Sequence, residues 1–198
     1  SDGEPIGARF VTMRRQVDRL SRLVHVLLDV SRASVREEDL AVEALDLATI
    51  ARDVVDGLAS DAAAAGSTIE LVAPAPVRGT WDRLRVEQVL MNLLANALKF
   101  GAGGAILVSV ESVESVEGGH AVIRVRDHGI GIAPEAQSRV FERFERAVSS
   151  RNYPGFGLGL WIVKAIVQAH GGTITVTSAE GQGTTFTVSM PQHRGQGG

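Results

Sequence analysis

The spacing of apolar residues predicts a helical segment at the start of the chain, followed by a separate domain. From Phe10 to Leu27, apolar residues recur at alternating steps of three and four, the spacing of a coiled-coil seam. A surface helix packed on its own domain would show the same spacing, so both interpretations stay open. The charged run at residues 36–39 then predicts a short linker and a domain boundary near residue 38.

Helical and strand patterns are mixed beyond this boundary. Asp46 and Asp82 are candidate helix caps, and glycines punctuate the predicted helix ends. Helices are predicted at 46–65, 82–100, 135–146 and 157–170, and strands at 68–72, 77–80, 105–113, 121–127, 173–178 and 184–190. Because hairpins are prominent, the pattern favours an α+β two-layer sandwich over an alternating parallel fold.

Composition excludes several classes of protein. With 198 residues and 44% hydrophobic content, the chain can form one ordinary domain with an appendage. The net charge of −3, with both signs scattered, argues against a nucleic-acid partner. The chain has no cysteine, which excludes disulfides and thiolate metal sites and is compatible with a cytoplasmic location. Its apolar runs are too interrupted to span a bilayer, although an N-terminal region outside this sequence could tether the whole protein to a membrane.

One polar stripe is predicted on the helix that begins near Asp82. Asn92, Asn96 and Lys99 are spaced i, i+4 and i+7, which places them on one side of a helix. Amide oxygens suit a hard cation such as Mg²⁺, and an ammonium group suits phosphates. A solvated helix face would give the same pattern, so the stripe alone leaves both interpretations open.

Two glycine-containing segments are candidates for ligand binding. Asp127-His128-Gly129-Ile130-Gly131 follows a predicted strand, and its carboxylate, which only accepts hydrogen bonds, matches the exocyclic amine of adenine. The segment 155–160, Gly-Phe-Gly-Leu-Gly-Leu, opens into a helix and would expose N–H groups to an anion. Ordinary turns are the alternative for both. The second segment matches neither the P-loop nor the Rossmann pattern.

The order of these segments resembles the GHKL ATPase superfamily and, within it, the catalytic domain of sensor histidine kinases. The helix with Asn92 and Asn96, the Asp-x-Gly-x-Gly turn at 127–131, Phe141-Glu142-Arg143-Phe144, the glycine repeat and Gly181-x-Gly183-Thr184 stand in the family's order. The resemblance covers about residues 40–191. It implies a mixed, mostly antiparallel sheet covered by helices on one face, and it implies ATP and Mg²⁺ as cofactors.

The resemblance also implies roles for individual residues. Asp127 would bind the adenine amine, and Asn96 would be the magnesium ligand. Arg146 would reach the γ-phosphate, with Arg143 as the alternative. Asn92 and Lys99 complete the expected catalytic set, and the remaining expected nucleotide contacts are Phe100, Gly129, Gly131, Gly155, Gly157, Leu158, Gly159, Leu160 and Thr184.

The resemblance divides the chain into three parts. Residues 1–37 resemble the second helix of the dimerisation and histidine-phosphotransfer hairpin, residues 38–191 the catalytic domain, and residues 192–198 a flexible tail. The first helix of the hairpin, with its phosphoacceptor histidine, has no counterpart here, so we expect a fragment. The implied partners are that helix, in the same or the partner subunit, and a response-regulator receiver domain. A homodimer is expected for the whole protein, while dimerisation of this chain stays open.

The residue four positions before Asn96 favours one of three candidate functions. Hydrolytic members of the superfamily resemble one another in having Glu there, because a water molecule must lose a proton to attack. Here the residue is Asn92, whose amide cannot act as a base. A neutral imidazole needs mainly positioning, so the sequence favours histidine as the phosphate acceptor and predicts slow ATP hydrolysis. A hydrolytic ATPase and a non-catalytic docking module are the alternatives.

Overall fold

The computed structural model describes residues 36–101, 103–115, 118–145 and 157–193. The chain separates into two units, residues 1–34 and residues 35–198, and the described residues belong to the second. The predicted N-terminal helix and its apolar seam therefore lie outside the described residues. The domain boundary near residue 38 stays a prediction.

Helices and strands alternate irregularly along the described residues. A short 3₁₀ turn at Glu37–Asp39 precedes the first strand. The strands are β1 (Val42–Asp46), β2 (Thr68–Val72), β3 (Arg78–Asp82), β4 (Ala105–Ser115), β5 (Gly118–Arg126), β6 (Thr173–Ser178) and β7 (Thr184–Pro191). The helices are α1 (Leu47–Gly57), α2 (Ala59–Ala64), α3 (Arg83–Phe100), α4 (Pro134–Gln137) and α5 (Gly159–Ala169).

The main sheet has five strands in the order β2-β4-β5-β7-β6. The β2–β4 pair is parallel, and the other three pairs are antiparallel. Strands β1 and β3 form a separate antiparallel pair. Burial alternates along β7, with Phe186, Val188 and Met190 facing the core, and helices α1, α3 and α5 pack on the sheet. The predicted α+β sandwich is therefore confirmed.

Helices α3 and α5 pack against each other as well as on the sheet. On α3, the apolar residues Val86, Val89, Leu90, Leu93, Leu94 and Ala97 are buried. On α5, the buried residues are Ile162, Val163, Ile166, Val167 and Ala169. Burial of these faces fixes both helices, so the polar stripe of α3 and the glycine-rich start of α5 are held on a rigid support.

A buried histidine joins the end of α5 to the start of α3. The Asp82 backbone N–H donates to Nε2 of His170 at 3.1 Å, and Nδ1 of His170 lies 2.9 Å from the Ile166 carbonyl oxygen. The Asp82 carboxylate caps α3 by accepting from the Arg85 N–H at 3.1 Å. The predicted cap at Asp82 is confirmed.

Several predicted boundaries differ from the structure. The predicted helix 46–65 is interrupted at Leu58, between α1 and α2, and the predicted helix 135–146 was wrong beyond α4. Phe144 has a φ of 63°, which a right-handed helix cannot continue through. Strand β1 was not predicted. Gln192, placed by prediction in the tail, donates its backbone N–H to the Gly119 carbonyl oxygen at 3.0 Å.

Asp46 stabilises the start of α1, and its removal is expected to destabilise the domain. Its carboxylate accepts from the N–H groups of Ala48 and Val77 at 3.1 and 2.9 Å and from the Thr49 hydroxyl at 2.9 Å. Burial acts to raise the pKa of Asp46, but these hydrogen bonds and the charge of Arg52 outweigh it and lower that pKa. We expect Asp46→Ala to lower the unfolding free energy by about 1–2 kcal/mol, measured by urea unfolding at neutral pH.

The lowered pKa sets the sign of the pH dependence. The contribution of Asp46 is present above the ordinary pKa of an aspartate and is lost as the pH falls through the lowered value in the folded protein. The difference between wild type and Asp46→Ala should therefore shrink in acid. Asp56→Ala is the matched control, because Asp56 is an exposed residue on the same helix. An equal loss in both variants would contradict the capping role.

Candidate nucleotide-binding site

Asp127 and Thr184 are paired through their main chains where β5 ends and β7 begins. The Asp127 N–H donates to the Thr184 carbonyl oxygen at 2.9 Å, and the Thr184 N–H donates to the Asp127 carbonyl oxygen at 3.3 Å. Directly opposed residues of an antiparallel pair project from the same face of the sheet. Asp127 and Thr184 are only 5% and 6% exposed, respectively, so the pair ends an otherwise apolar, buried row with a carboxylate and a hydroxyl.

The carboxylate of Asp127 is a buried hydrogen-bond acceptor. One of its oxygens accepts from the Gly129 N–H at 2.9 Å. Burial raises the pKa of Asp127 above the ordinary value, while the N–H groups of Gly129 and Thr184 and the charge of His128 act in the opposite direction. A buried carboxylate of this kind gains from a ligand group that donates a hydrogen bond to it.

Glycines bring three backbone segments into direct contact around Asp127. A Cβ atom at Gly129 would overlap the Phe100 carbonyl oxygen at the end of α3, and one at Gly183 would overlap the Asp127 carbonyl oxygen. At Gly131, where φ is 69°, a Cβ atom would overlap the Ala179 carbonyl oxygen. Only residues without a side chain permit this packing, so the loop after β5 lies against both α3 and the β6–β7 turn.

Asn92, the first residue of the polar stripe of α3, faces the start of α5. The side-chain amide of Asn92 donates to the Gln88 carbonyl oxygen at 3.0 Å, and its Oδ1 would lie 3.0 Å from a Cβ atom placed on Gly159. Asn96 and Lys99 are half-buried on the same helix, and Lys99 Nζ lies 4.6 Å from the ring centroid of Phe100. The structure therefore brings Asn92 and the last glycine segment together.

The start of α5 is held by the Phe141–Phe144 segment. The Phe144 N–H donates to the Gly157 carbonyl oxygen at 3.1 Å, and Gly157 has a φ of 69°. Leu158 is buried at the N-terminus of α5, and Leu160 is half-buried. Arg143, the alternative γ-phosphate contact, stacks 4.3 Å from the Trp161 ring centroid. Arg146 and Gly155, both expected at the site, lie outside the described residues.

The oxygen-bearing side chains of the site fit a magnesium ion that a bound ligand also coordinates. In the part of the chain that the structure describes, no cluster of three or more His, Cys, Asp or Glu side chains could hold a metal ion. Asn96 offers a half-buried amide oxygen, which is a suitable hard ligand. Magnesium would have to take its other ligands from water and phosphate, so its binding would depend on the nucleotide.

Sequence reasoning missed two residues that connect the loops of the site. The Ser178 hydroxyl contacts the Ile132 N–H, the Gly183 carbonyl oxygen and the Thr184 hydroxyl. The side-chain amide of Gln137, on α4, donates to the carbonyl oxygens of Ile132 and Ser178 at 2.9 and 2.8 Å. The predicted β6–β7 hairpin contained one usable signal, since its register places Ser178 opposite Thr184.

Comparison with known protein families identifies the family to which this arrangement of residues belongs. The family model described as histidine kinase-, DNA gyrase B- and HSP90-like ATPase matches residues 81–194, more than half of the chain. The chain belongs to this ATPase family. The matched range includes α3, Asp127, the glycine segments and Thr184. The membership confirms the resemblance seen in the order of the motifs.

Relatives of this ATPase are sensor histidine kinases. The chain is 37% identical over 178 residues to the sensor-like histidine kinase SenX3 of Mycobacterium tuberculosis H37Rv, covering 89% of this chain and 43% of the relative. It is 32% identical over 197 residues to the sensor histidine kinase WalK of Bacillus subtilis strain 168, covering 96% of this chain and 31% of the relative. The chain thus spans less than half the length of these curated relatives.

Solved structures agree with the fold. Full-length ShkA in complex with AMPPNP has a TM-score of 0.80 and 30% identity, covering 96% of this chain and 40% of that one. The mycobacterial sensor histidine kinase MprB has a TM-score of 0.66 and 28% identity, covering 77% of this chain and 99% of that one. The described residues therefore form a catalytic ATP-binding domain of the sensor histidine kinase type. Within them, no helix is both long and apolar enough to cross a membrane.

Proposed function

We propose that this domain binds Mg-ATP and transfers the γ-phosphate to a histidine outside this sequence, for relay to an aspartate of a response regulator. The observation that carries the proposal is the buried pairing of Asp127 with Thr184, beside the polar stripe of α3. The pair supplies acceptors for a base, and the stripe supplies an amide oxygen and an ammonium for phosphates.

The family resemblance supports one orientation of the bound nucleotide. The adenine amine donates to Asp127, with Gly131 and Thr184 beside it and Phe100 near the base. Asn96 holds the magnesium ion, which neutralises phosphate charge when bound. Lys99 and Arg146 contact the phosphates, and the N-terminus of α5 favours their negative charge. The binding of AMPPNP by ShkA supports this proposal.

The chemistry of Asn92 supports a histidine rather than water as the acceptor. Asn92 has an amide where a base would be needed to take a proton from water, and this amide donates to the Gln88 carbonyl oxygen. A neutral imidazole is already nucleophilic near neutral pH and requires mainly positioning and charge stabilisation. Hydrolysis by the isolated domain should therefore be slow compared with transfer.

The proposal is tested by following labelled phosphate. The domain is mixed with Mg-ATP labelled at the γ-position and with a separately produced dimerisation hairpin that bears the phosphoacceptor histidine. The expected product is an acid-labile, base-stable phosphohistidine on the hairpin, and its formation should be lost in Asn96→Ala. Rapid release of phosphate without transfer would contradict the proposal and favour a hydrolytic ATPase.

The proposed partners are the phosphoacceptor helix, a response-regulator receiver domain and a second kinase subunit. They are proposed from the resemblance to sensor histidine kinases, the class to which the matched relatives belong. A cytoplasmic location is proposed as well and is compatible with a chain that has no cysteine.

A further inference from the structure

A row of three polar side chains crosses the nucleotide end of the sheet, one from each of three neighbouring strands. Ser178 of β6 is paired in register with Thr184 of β7. Thr184 is in turn paired with Asp127, at the end of β5, by reciprocal main-chain hydrogen bonds. Asp127 and Thr184 are buried and Ser178 is half-buried. The Ser178 and Thr184 hydroxyls are directly hydrogen-bonded, and the Asp127 carboxylate lies next to them through the main-chain pairing of Asp127 with Thr184.

The contacts of Ser178 determine where its proton lies. Its Oγ is 2.8 Å from the Ile132 backbone nitrogen, 2.8 Å from the Gly183 carbonyl oxygen and 3.0 Å from the Thr184 Oγ1. A backbone N–H can only donate, and a carbonyl oxygen can only accept. All three contacts can be hydrogen bonds only if the single proton of Ser178 goes to the Gly183 carbonyl oxygen.

This assignment fixes the direction of the Thr184 hydroxyl. The Ser178 proton is already used, so the bond between the two hydroxyls needs the proton of Thr184. Thr184 then has only lone pairs to offer to any other group. Beside it, the Asp127 carboxylate is also an acceptor when ionised.

We infer that Ser178 is a positioning residue that holds Thr184 as a hydrogen-bond acceptor and thereby makes the site select a 6-amino purine over a 6-oxo purine. The inference rests on the proposed function, in which the base binds at Asp127. A 6-amino group donates to acceptors, directly or through one water molecule. A 6-oxo group instead presents a third acceptor to the two acceptors of the protein, and this mismatch leaves buried polar groups unpaired.

Two further hydrogen bonds, both from Gln137, hold the main chain around Ser178 in place. Gln137 donates both to the Ser178 carbonyl oxygen and to the Ile132 carbonyl oxygen, and the Ile132 N–H donates to the Ser178 hydroxyl. These contacts join β6 to the segment that follows Gly131. Loss of the Ser178 hydroxyl would therefore have a structural effect as well, and the test must separate that effect from a change in selectivity.

The preference for ATP over inosine triphosphate is the measurement that separates the two effects. These nucleotides differ at the 6-position and in the proton that inosine carries on N1, a difference that is the same for every variant compared. The dissociation constants of their magnesium complexes are measured by calorimetry. We expect the wild type to prefer ATP by about tenfold or more. Ser178→Ala should reduce this preference by about fivefold to tenfold, because the freed Thr184 hydroxyl can turn and donate to the 6-oxo group. Ser178→Thr, which keeps a hydroxyl, should retain most of the preference.

A double-mutant cycle links the effect to Thr184. Thr184→Val should itself reduce the preference for ATP. In that background, adding Ser178→Ala should change the preference by less than about twofold, because the hydroxyl that Ser178 orients is already absent. If Ser178→Ala does not fold, Ser178→Thr and Thr184→Val still test the inference, since the first must keep the preference and the second must lower it.

The possible outcomes separate this inference from the proposed function. Equal weakening of both nucleotides by Ser178→Ala, or an unchanged preference in Thr184→Val, would overturn the role of Ser178 while ATP binding by the wild type still supported the proposed function. Failure of the wild type to bind ATP at millimolar concentration would instead overturn the proposed function.

Discussion

Asp127→Asn is expected to leave the domain folded and to weaken ATP binding by about tenfold to a hundredfold, the range that follows from losing one hydrogen bond to a charged acceptor. The side-chain oxygen of the introduced asparagine can still accept from the Gly129 N–H, as Asp127 does at 2.9 Å. The NH₂ group of that asparagine replaces the other carboxylate oxygen and meets the donating amine of adenine. Calorimetric titration with Mg-ATP measures the loss, with Asp61→Asn, an exposed substitution on α2, as the control.

The stability of Asp127→Asn gives an independent check that weaker ATP binding does not result from unfolding. Burial raises the pKa of Asp127, so its contribution to stability is present in acid and is lost as the pH rises through that raised value. At neutral pH the buried charge opposes folding, and Asp127→Asn should have an unfolding free energy equal to or above that of the wild type. ATP affinity should fall on acidification in the wild type only. A variant that lost binding because it unfolded would contradict this account.

Gly129→Ala is expected to have the second large effect on stability and ATP binding, because the added methyl group would push apart two backbone segments that are in contact. The new Cβ atom would overlap the Phe100 carbonyl oxygen, and this backbone atom cannot move away as the end of a side chain can. We expect the unfolding free energy to fall by about 1–3 kcal/mol, as for overpacked cores, and ATP binding to weaken by about tenfold or more because Asp127 is displaced. Urea unfolding and calorimetry measure the two effects.

Gly57→Ala is the matched control for this substitution. Gly57 ends α1, and a Cβ atom there would meet no heavy atom within 4 Å. The substitution should be neutral or should stabilise the domain by up to about 1 kcal/mol, since alanine favours the helix. If both variants behaved alike, the close approach of Gly129 to Phe100 would not be needed for the site.

Local sequence patterns were sufficient to predict features in which a side chain hydrogen-bonds to residues close to it in the chain. Asp46 and Asp82 were predicted as caps because a carboxylate before a helix satisfies free N–H groups a few residues later. Asp127 was only a candidate acceptor after a strand, with an ordinary turn as the alternative, and its expected role at adenine came from the family resemblance. The family resemblance then placed these segments in one fold, which the matched family confirms.

Features that depend on contacts between residues far apart in the chain could not be predicted from local sequence patterns. The predicted helix 135–146 ends at Gln137, whose side chain bonds to the carbonyl oxygens of Ile132 and Ser178. Beyond it, Phe144 adopts a positive φ and donates to Gly157, which follows it by thirteen positions in the chain. The direction of the Thr184 hydroxyl depends on Ser178, Ile132 and Gly183 together. Periodicity does not encode contacts of this kind, because they arise only when separate strands and turns are packed.

The single parallel pair in the main sheet constrains the order in which the domain can assemble. The hairpins β4–β5 and β6–β7 each join strands that are adjacent in the chain, so they can form early. Strand β2 reaches β4 only after the chain has passed through β3 and the whole of α3. Early formation of these hairpins would favour nucleation in the half of the sheet that carries Asp127 and Thr184, and the β2 edge would then complete the sheet later.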